Sequence, residues 1–212
     1  MSNQPMFKTH TFEISFTKEV NYESIQELCR QIDLAVDYYK YTQITLNINS
    51  PGGELAALKH YLFMLNKWRE KGVNIVTIGE VSVASAAALM LCLGDFGSRY
   101  CYPHTNILFH YARLAGVSNL TSEKSTELSK ELSKADDELL TLVSQHISKH
   151  ISGHFYPLDT LKIEGKKFTK KERMSAQSLQ KLIKTELDRL FVLDNRIEPT
   201  AAKSFLLIDH IL

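Results

Sequence analysis

Ile44-Thr45-Leu46-Asn47-Ile48-Asn49-Ser50-Pro51-Gly52-Gly53 reads as a short apolar strand, Ile44 to Ile48, running into a Pro-Gly-Gly turn. Two further stretches matter with it. Val83-Ala84-Ser85-Ala86-Ala87-Ala88 opens an apolar helix on a serine, and Asn106-Ile107-Leu108-Phe109-His110 ends an apolar strand on a histidine. One region of chain thus supplies an amide-donating turn, a hydroxyl and an imidazole, the parts that acyl transfer requires.

Outward from this region, strand and helix alternate. Thr11 to Phe16 alternates apolar and polar residues as an edge strand does, and Tyr22 to Tyr39 carries Ile25, Leu28, Ile32, Leu34 and Val36 in a helical rhythm. Leu55, Leu58, Leu62 and Leu65 predict a helix from Glu54 to Lys71, with Gly72 as its stop. Val73 to Ile78 reads as a buried strand. The helix from about Ala84 to Leu93 is apolar nearly all round and belongs inside the molecule. Arg99 to Tyr102 and Ile107 to Tyr111 supply two more strands. The pattern predicts an α/β fold with a parallel sheet, helices on its faces and sites at the carboxyl ends of strands.

Beyond Gly116 the character changes. From Thr121 to His150, Leu128, Leu132, Ala135, Leu139, Leu142 and His146 recur at alternating spacings of four and three, which predicts one long helix. Its leucine seam exceeds what a small domain covers, so a partner helix is expected. Ser152 to Lys171 is poorly periodic and reads as an exposed excursion. Ser175 to Leu187 is a short helix, Pro199 to Phe205 another, and Leu206 to Leu212 a closing apolar strand.

Composition narrows the function classes. The chain has 212 residues, consistent with a single domain, and its 25 basic and 24 acidic side chains leave a net charge of +1. That balance predicts no nucleic-acid and no membrane partner, and favours a neutral or peptide-like one. Cys29, Cys92 and Cys101 form no CxxC pair and read as reduced thiols of a cytoplasmic protein. Met1 to His10 lacks an apolar signal core, and the run Val83 to Leu93 is too short to cross a bilayer. His146, His150 and His154 are spaced by four but lack an acid or thiol set, there is no HExxH, and no GxxxxGK[ST] loop occurs. No metal or other cofactor is expected, and any ATP use belongs to a partner.

Taken together, Ile48-Asn49-Ser50-Pro51-Gly52-Gly53, the Ala84-Ser85 helix start, Pro103 with His110, and Ala201-Ala202 through Leu207-Ile208-Asp209-His210-Ile211-Leu212 resemble the proteolytic subunit of the Clp (caseinolytic) protease family. The likeness runs from about Thr11 to Leu212. It implies a Clp-type, crotonase-like fold of repeated ββα units in one domain, residues 1–212, with a long handle-like helix at about 117–150 and an insertion at about 152–186. It also implies a Ser-His-Asp endopeptidase that cleaves peptide or unfolded protein through an acyl-enzyme, a ring-forming homo-oligomer, and an AAA+ unfoldase as candidate partner. The 25 positions from Ser85 to His110 match the interval expected between nucleophile and base in that family.

Residue by residue, Ser85 is the candidate nucleophile and His110 the candidate base, because a serine hydroxyl needs an imidazole to take its proton. A serine at a helix start is more simply an N-cap. Ser82 competes with Ser85. Counting back nine positions from Gly94 lands on Ser85, as in the family, so Ser82 reads as the helix cap. His10, His60, His146, His150, His154 and His210 lie on polar faces or ends, and His104 sits in a turn, whereas His110 ends an apolar strand. A gapless count back from the closing strand gives Asp194 as the orienting acid, with Asp159, Asp188 and Asp209 as alternatives. The Gly53 N–H and the amide of Ala86 are the candidate oxyanion hole, since glycine presents a bare amide.

The chain departs from the family at several positions. Typical members have Met-Gly where Ala86-Ala87 stand here and proline where Ala112 stands, and the glycine-rich strand through which rings stack is reduced to Gly116. A single ring and a double ring both stay open. Two other functions remain in view: a crotonase-type acyl-CoA enzyme, which commonly relies on glutamates, and a catalytically silent subunit that scaffolds an active paralogue.

Overall fold

The computed structural model describes residues 10–111, 121–152, 162–163, 166–167, 176–191 and 196–212. Strand β1 (Thr11–Phe16) lies parallel to β2 (Gln43–Ser50), with Thr11 opposite Gln43, and β2 lies parallel to β3 (Asn74–Ala84). Helix α1 (Tyr22–Asp33) connects the first two. Asn21 and Ser24 close a reciprocal capping box at its start, and Ile25, Leu28, Cys29 and Ile32 form its buried stripe. The helix predicted to reach Tyr39 ends at Asp33 in a wide π turn, Leu34–Tyr38. The extra residue per turn breaks the 3.6 period, so Leu34, counted on the apolar face, is 47% exposed.

Strand β3 is longer than the sequence suggests. The sequence predicts a strand over Val73 to Ile78, but the strand continues to Ala84, and its register against β2 slips after Gly79: Ile48 pairs with Gly79 but Ser50 with Val83. The slip puts Ser82 inside the strand, where its N–H donates to Asn49 Oδ1 at 3.1 Å, so Ser82 is not the helix cap expected of it. The far edge of β3 is shared. Thr77 to Gly79 pair with β4 (Arg99–Cys101), while Ser82 to Ala84 pair with β5 (Asn106–Leu108), both parallel. Thr105 spans the fork, its hydroxyl 2.9 Å from the Gly79 carbonyl and 2.6 Å from that of Glu80 while accepting the Tyr102 N–H.

Helix α2 (Leu55–Glu70) buries Leu58, Tyr61, Leu65 and Trp68 and packs on α1. Helix α3 (Ala86–Cys92) is buried at every residue, as its all-round apolarity predicts, against β2, β3 and β4 and beside α2. The long helix α4 (Ser122–Ser152) touches α3 and buries Leu139, Leu140, Val143 and Ile147. Leu142, placed in the seam from sequence, points out instead and is 37% exposed. After a two-stranded pairing of β6 (Lys162–Ile163) with β7 (Lys166–Lys167), helix α5 (Ala176–Phe191) lies along α4 with Leu179, Ile183, Leu187 and Leu190 buried. The chain itself thus supplies a partner for the C-terminal half of α4.

Strand β8 (Arg196–Ile197) pairs antiparallel with β5, and after α6 (Pro199–Ser204) the chain ends in β9 (His210–Ile211), parallel to β4. Among the described strands of this sheet, β8 alone runs antiparallel. The closing strand expected from Leu206 shrinks to two residues, since Leu206 turns at φ 60° and Leu206 to Ile208 enter the core as a turn. Two ion pairs brace the back of the sheet. Asp209 takes Arg99 in a bidentate grip, Nε to Oδ2 at 2.9 Å and Nη2 to Oδ1 at 2.7 Å, with both side chains almost fully buried. Arg69 joins Asp95, the Leu93 carbonyl and His146 of α4, and so ties α2, the end of α3 and α4 together.

Candidate active site

Three chain segments meet where β2, β3 and β5 end. Leaving β2, Ser50 donates its hydroxyl to the Lys18 carbonyl at 2.6 Å and accepts the Gly52 N–H at 3.2 Å. Gly52 and Gly53 follow with φ of 87° and 148°, which L-residues rarely adopt. Val20 donates to the Gly52 carbonyl and Glu54 to the Val20 carbonyl, both at 2.7 Å. These bonds flank Gly53 and do not use its N–H.

Leaving β3, Ser85 has φ 54° and ψ −127°, one of three non-glycine residues among those described with positive φ. Such a conformation is sterically costly for serine, so the surroundings must hold it. They do so from both sides: its N–H donates to the Leu108 carbonyl of β5 at 2.8 Å, and its carbonyl accepts from Ala88 and Leu89 of α3. Its side chain makes no capping bond to α3. The N-cap alternative therefore fails in this structure, and the hydroxyl is left for other work. Ala86 opens α3, where first-turn amides have no intrahelical acceptor. Gly52 packs directly on this corner, its Cα facing Ser85 Cβ and the Ala86 nitrogen.

His110 stands two residues beyond β5. Ala84 pairs with Leu108, so Ser85 and His110 follow one and two residues after the same rung on adjacent parallel strands, which lie about 4.8 Å apart. The His110 ring is half-buried, and its Nδ1 is 2.7 Å from the Tyr111 carbonyl. A carbonyl only accepts, so Nδ1 carries the proton and Nε2 offers a lone pair, the tautomer a general base needs. Among the described residues no hydrogen bond joins Ser85 to His110.

The acids sort themselves differently. Asp194 and Asp159 lie outside the described residues. Asp209, an alternative from sequence, is committed to Arg99 and to the N–H groups of Gly97 and Arg99. Asp188 lies on α5 and accepts the Tyr111 hydroxyl at 2.6 Å. Burial first, and then the Asp188 carboxylate, push the Tyr111 phenol up to about 12, which keeps it a donor. Sequence reasoning singled out neither Tyr111 nor the bracing role of Asn49. An asparagine beside a Ser-Pro-Gly-Gly turn was the one available signal for the latter. All three cysteines are buried, and desolvation raises their thiols, Cys92 to about 12, so none is a competing nucleophile. Among the described residues no helix is long and apolar enough to cross a membrane.

Comparison with known proteins finds similarity to Clp protease subunits. ATP-dependent Clp protease proteolytic subunit 1 of Corynebacterium jeikeium is 32% identical over 105 residues, covering 50% of this chain and 54% of that relative. The protein of the same description in Mycobacterium tuberculosis is 33% identical over 105 residues, 50% of each chain. ATP-dependent Clp protease proteolytic subunit 2 of Corynebacterium efficiens is 28% identical over 128 residues, 60% of this chain and 62% of the relative. The chain thus spans about half to three-fifths of the length of the curated relatives it matches. The Clp protease family model aligns with residues 5–154, a span that takes in the glycine turn, the Ser85 corner and the strand ending at His110. On the strength of that match over most of its length, the chain belongs to the Clp protease family.

Proposed function

We propose that the chain is a serine endopeptidase in which Ser85 is the nucleophile, His110 the general base, Asp194 the orienting acid, and the N–H groups of Gly53 and Ala86 the oxyanion hole. The observation that carries this reading is the Ser85 corner: a strained serine, free of capping duty, packed against a glycine turn at the carboxyl end of a parallel strand. Ser85 Oγ attacks the substrate carbonyl carbon as its proton passes to His110 Nε2. The carbonyl π pair moves onto oxygen and is met by the two amides. Collapse expels the amine, which takes the proton from Nε2, and water then hydrolyses the acyl-enzyme by the same route. Asp194 is supported by its chain position. Arg196, two residues after it, is paired antiparallel with Leu108, two residues before His110.

The relatives are named ATP-dependent Clp protease proteolytic subunits, which supports protein or peptide as substrate and an ATP-consuming partner. Membership of the Clp protease family supports a ring-forming homo-oligomer with an AAA+ unfoldase as that partner. Three buried, unpaired thiols fit a reducing, cytoplasmic setting. A second reading, a silent ring subunit, is favoured by one observation, the lack of a Ser85–His110 hydrogen bond among the described residues. Fluorophosphonate labelling read by intact mass, together with turnover of a fluorogenic peptide, separates the two. Labelling at Ser85 and activity lost in Ser85→Ala and His110→Ala support the peptidase. Equal turnover in wild type and both variants overturns it, and no labelling with no turnover favours the silent subunit. Native mass spectrometry of the full chain tests the ring.

A further inference from the structure

We infer that Tyr111 is a positioning residue for His110, its carbonyl holding the imidazole in the Nδ1–H tautomer while its side chain is fastened to α5 by Asp188 and Phe191. The inference rests on the reading of His110 as general base and names a residue that reading does not use. The carbonyl contact is 2.7 Å. The phenol donates to Asp188 Oδ1 at 2.6 Å. Its ring lies 5.7 Å from that of Phe191, and the ring of Phe109, on the other side of His110, lies 5.5 Å from the same Phe191. Both chain neighbours of the imidazole are therefore moored to one turn of α5, an element 77 positions away in sequence at the Tyr111–Asp188 contact.

This mooring adds to the β5 ladder, which among the described residues reaches Leu108. Without the side-chain contacts to α5, the Tyr111 carbonyl is held less firmly against Nδ1. The Nδ1–H then keeps only the Asp194 carboxylate of the proposed triad as acceptor, the Nε2–H tautomer gains population, and the imidazolium formed during attack is less stabilised. The charged groups acting on Tyr111 are Asp188 from α5 and Asp136 from α4. Asp136 also lies on the buried side of its helix.

The test compares the full-length wild type with Tyr111→Phe, Asp188→Asn and Asp188→Glu in hydrolysis of a short fluorogenic peptide across pH. Tyr111→Phe keeps the ring on Phe191 and removes only the hydroxyl. Both Tyr111→Phe and Asp188→Asn are expected to lower kcat by about threefold to tenfold, the scale of one hydrogen bond, with KM nearly unchanged. The acid limb of kcat/KM should move to lower pH, because the imidazolium is less stabilised. Asp188→Glu, which keeps a carboxylate acceptor, should restore wild-type values. Wild-type kcat and acid limb in both Tyr111→Phe and Asp188→Asn overturn the inference while leaving the peptidase reading intact. A readout independent of activity is the nitrogen chemical shift of the His110 ring, assigned by difference with His110→Gln. An Nδ1–H ring in wild type that becomes mixed in Tyr111→Phe supports the inference, and an Nε2–H ring in wild type overturns it even if Ser85 proves not to be the nucleophile.

Discussion

Gly52 is packed against Ser85 with no room between them for a methyl group. A Cβ built on Gly52 would lie 2.6 Å from Ser85 Cβ and 2.9 Å from the Ala86 nitrogen, and would run into the Ala84 carbonyl oxygen. The φ of Gly52, 87°, adds strain for any other residue. Gly52→Ala is therefore expected to displace the corner that holds the hydroxyl. A misplacement of about 1 Å at a reacting group costs on the order of 100-fold in rate. Peptide turnover should fall by about that factor while the circular dichroism spectrum stays α/β. Full turnover in this variant would show that the glycine turn does not set the position of Ser85.

Asp209 carries more than one bond. It takes two from the Arg99 guanidinium and one each from the Gly97 and Arg99 amides; the three to Arg99 are buried and the one to Gly97 is half-buried. Asp209→Ala strands a buried cation, a buried amide and a half-buried amide, which costs about 3–5 kcal/mol against a usual total of about 5–15 kcal/mol. Urea unfolding followed by tryptophan fluorescence measures this through Trp68, the single tryptophan, buried in the core. A loss below about 1 kcal/mol would contradict the account.

Burial raises the thiols of Cys29 and Cys92 to about 12 and that of Cys101 to about 11. Unfolded, they titrate near about 8.5. Below that value both states keep their protons and the full stability is present. Between it and the raised values the unfolded chain sheds protons that the folded chain keeps, so stability falls as pH rises. Unfolding free energy should decline from pH 8 to pH 10.5. At pH 8 a thiol reagent such as DTNB should titrate no cysteine in the folded protein and all three in denaturant. Rapid reaction of Cys92 without denaturant would refute the burial argument.

Tyr61 is fully buried on α2, and its hydroxyl has no hydrogen-bond partner among the described residues. A buried, unsatisfied hydroxyl costs about 1–3 kcal/mol. Tyr61→Phe removes the oxygen and keeps the ring beside Trp68, 6.3 Å between centroids. The variant should melt at the same temperature as wild type or a few degrees above it. A clear loss of stability would mean that the hydroxyl has a partner.

Much of this architecture is legible in one dimension. Thr11–Phe16 is found where alternation puts it, α2 runs from Leu55 to Glu70 against an expectation of Glu54 to Lys71, and α3 is buried all round. The three motifs do follow the ends of β2, β3 and β5. The errors are equally specific. Ser82-Val83-Ala84 consists of small residues that suit either a strand end or a helix start, and what decides for the strand is the side chain of Asn49, 33 positions away. The π turn after Asp33 escapes any fixed helical period. Asp209 could be ranked below Asp194 from sequence, but its partner Arg99, 110 positions away, could not be named.

Local chemistry, then, was enough to establish a parallel α/β sheet and to put a glycine turn, a serine and a histidine at strand ends, because apolar periodicity and the conformational freedom of glycine act over a few residues. Which strands are neighbours was settled only in three dimensions. So were the fork of β3 between β4 and β5, the strained backbone of Ser85 and the proton position on His110. Each depends on hydrogen bonds between groups far apart in the chain: Ser85 N–H to the Leu108 carbonyl, Thr105 to Gly79, and Tyr111 to Asp188. Such bonds form only after the apolar faces of the helices and strands have packed, and no window of sequence contains both of their ends.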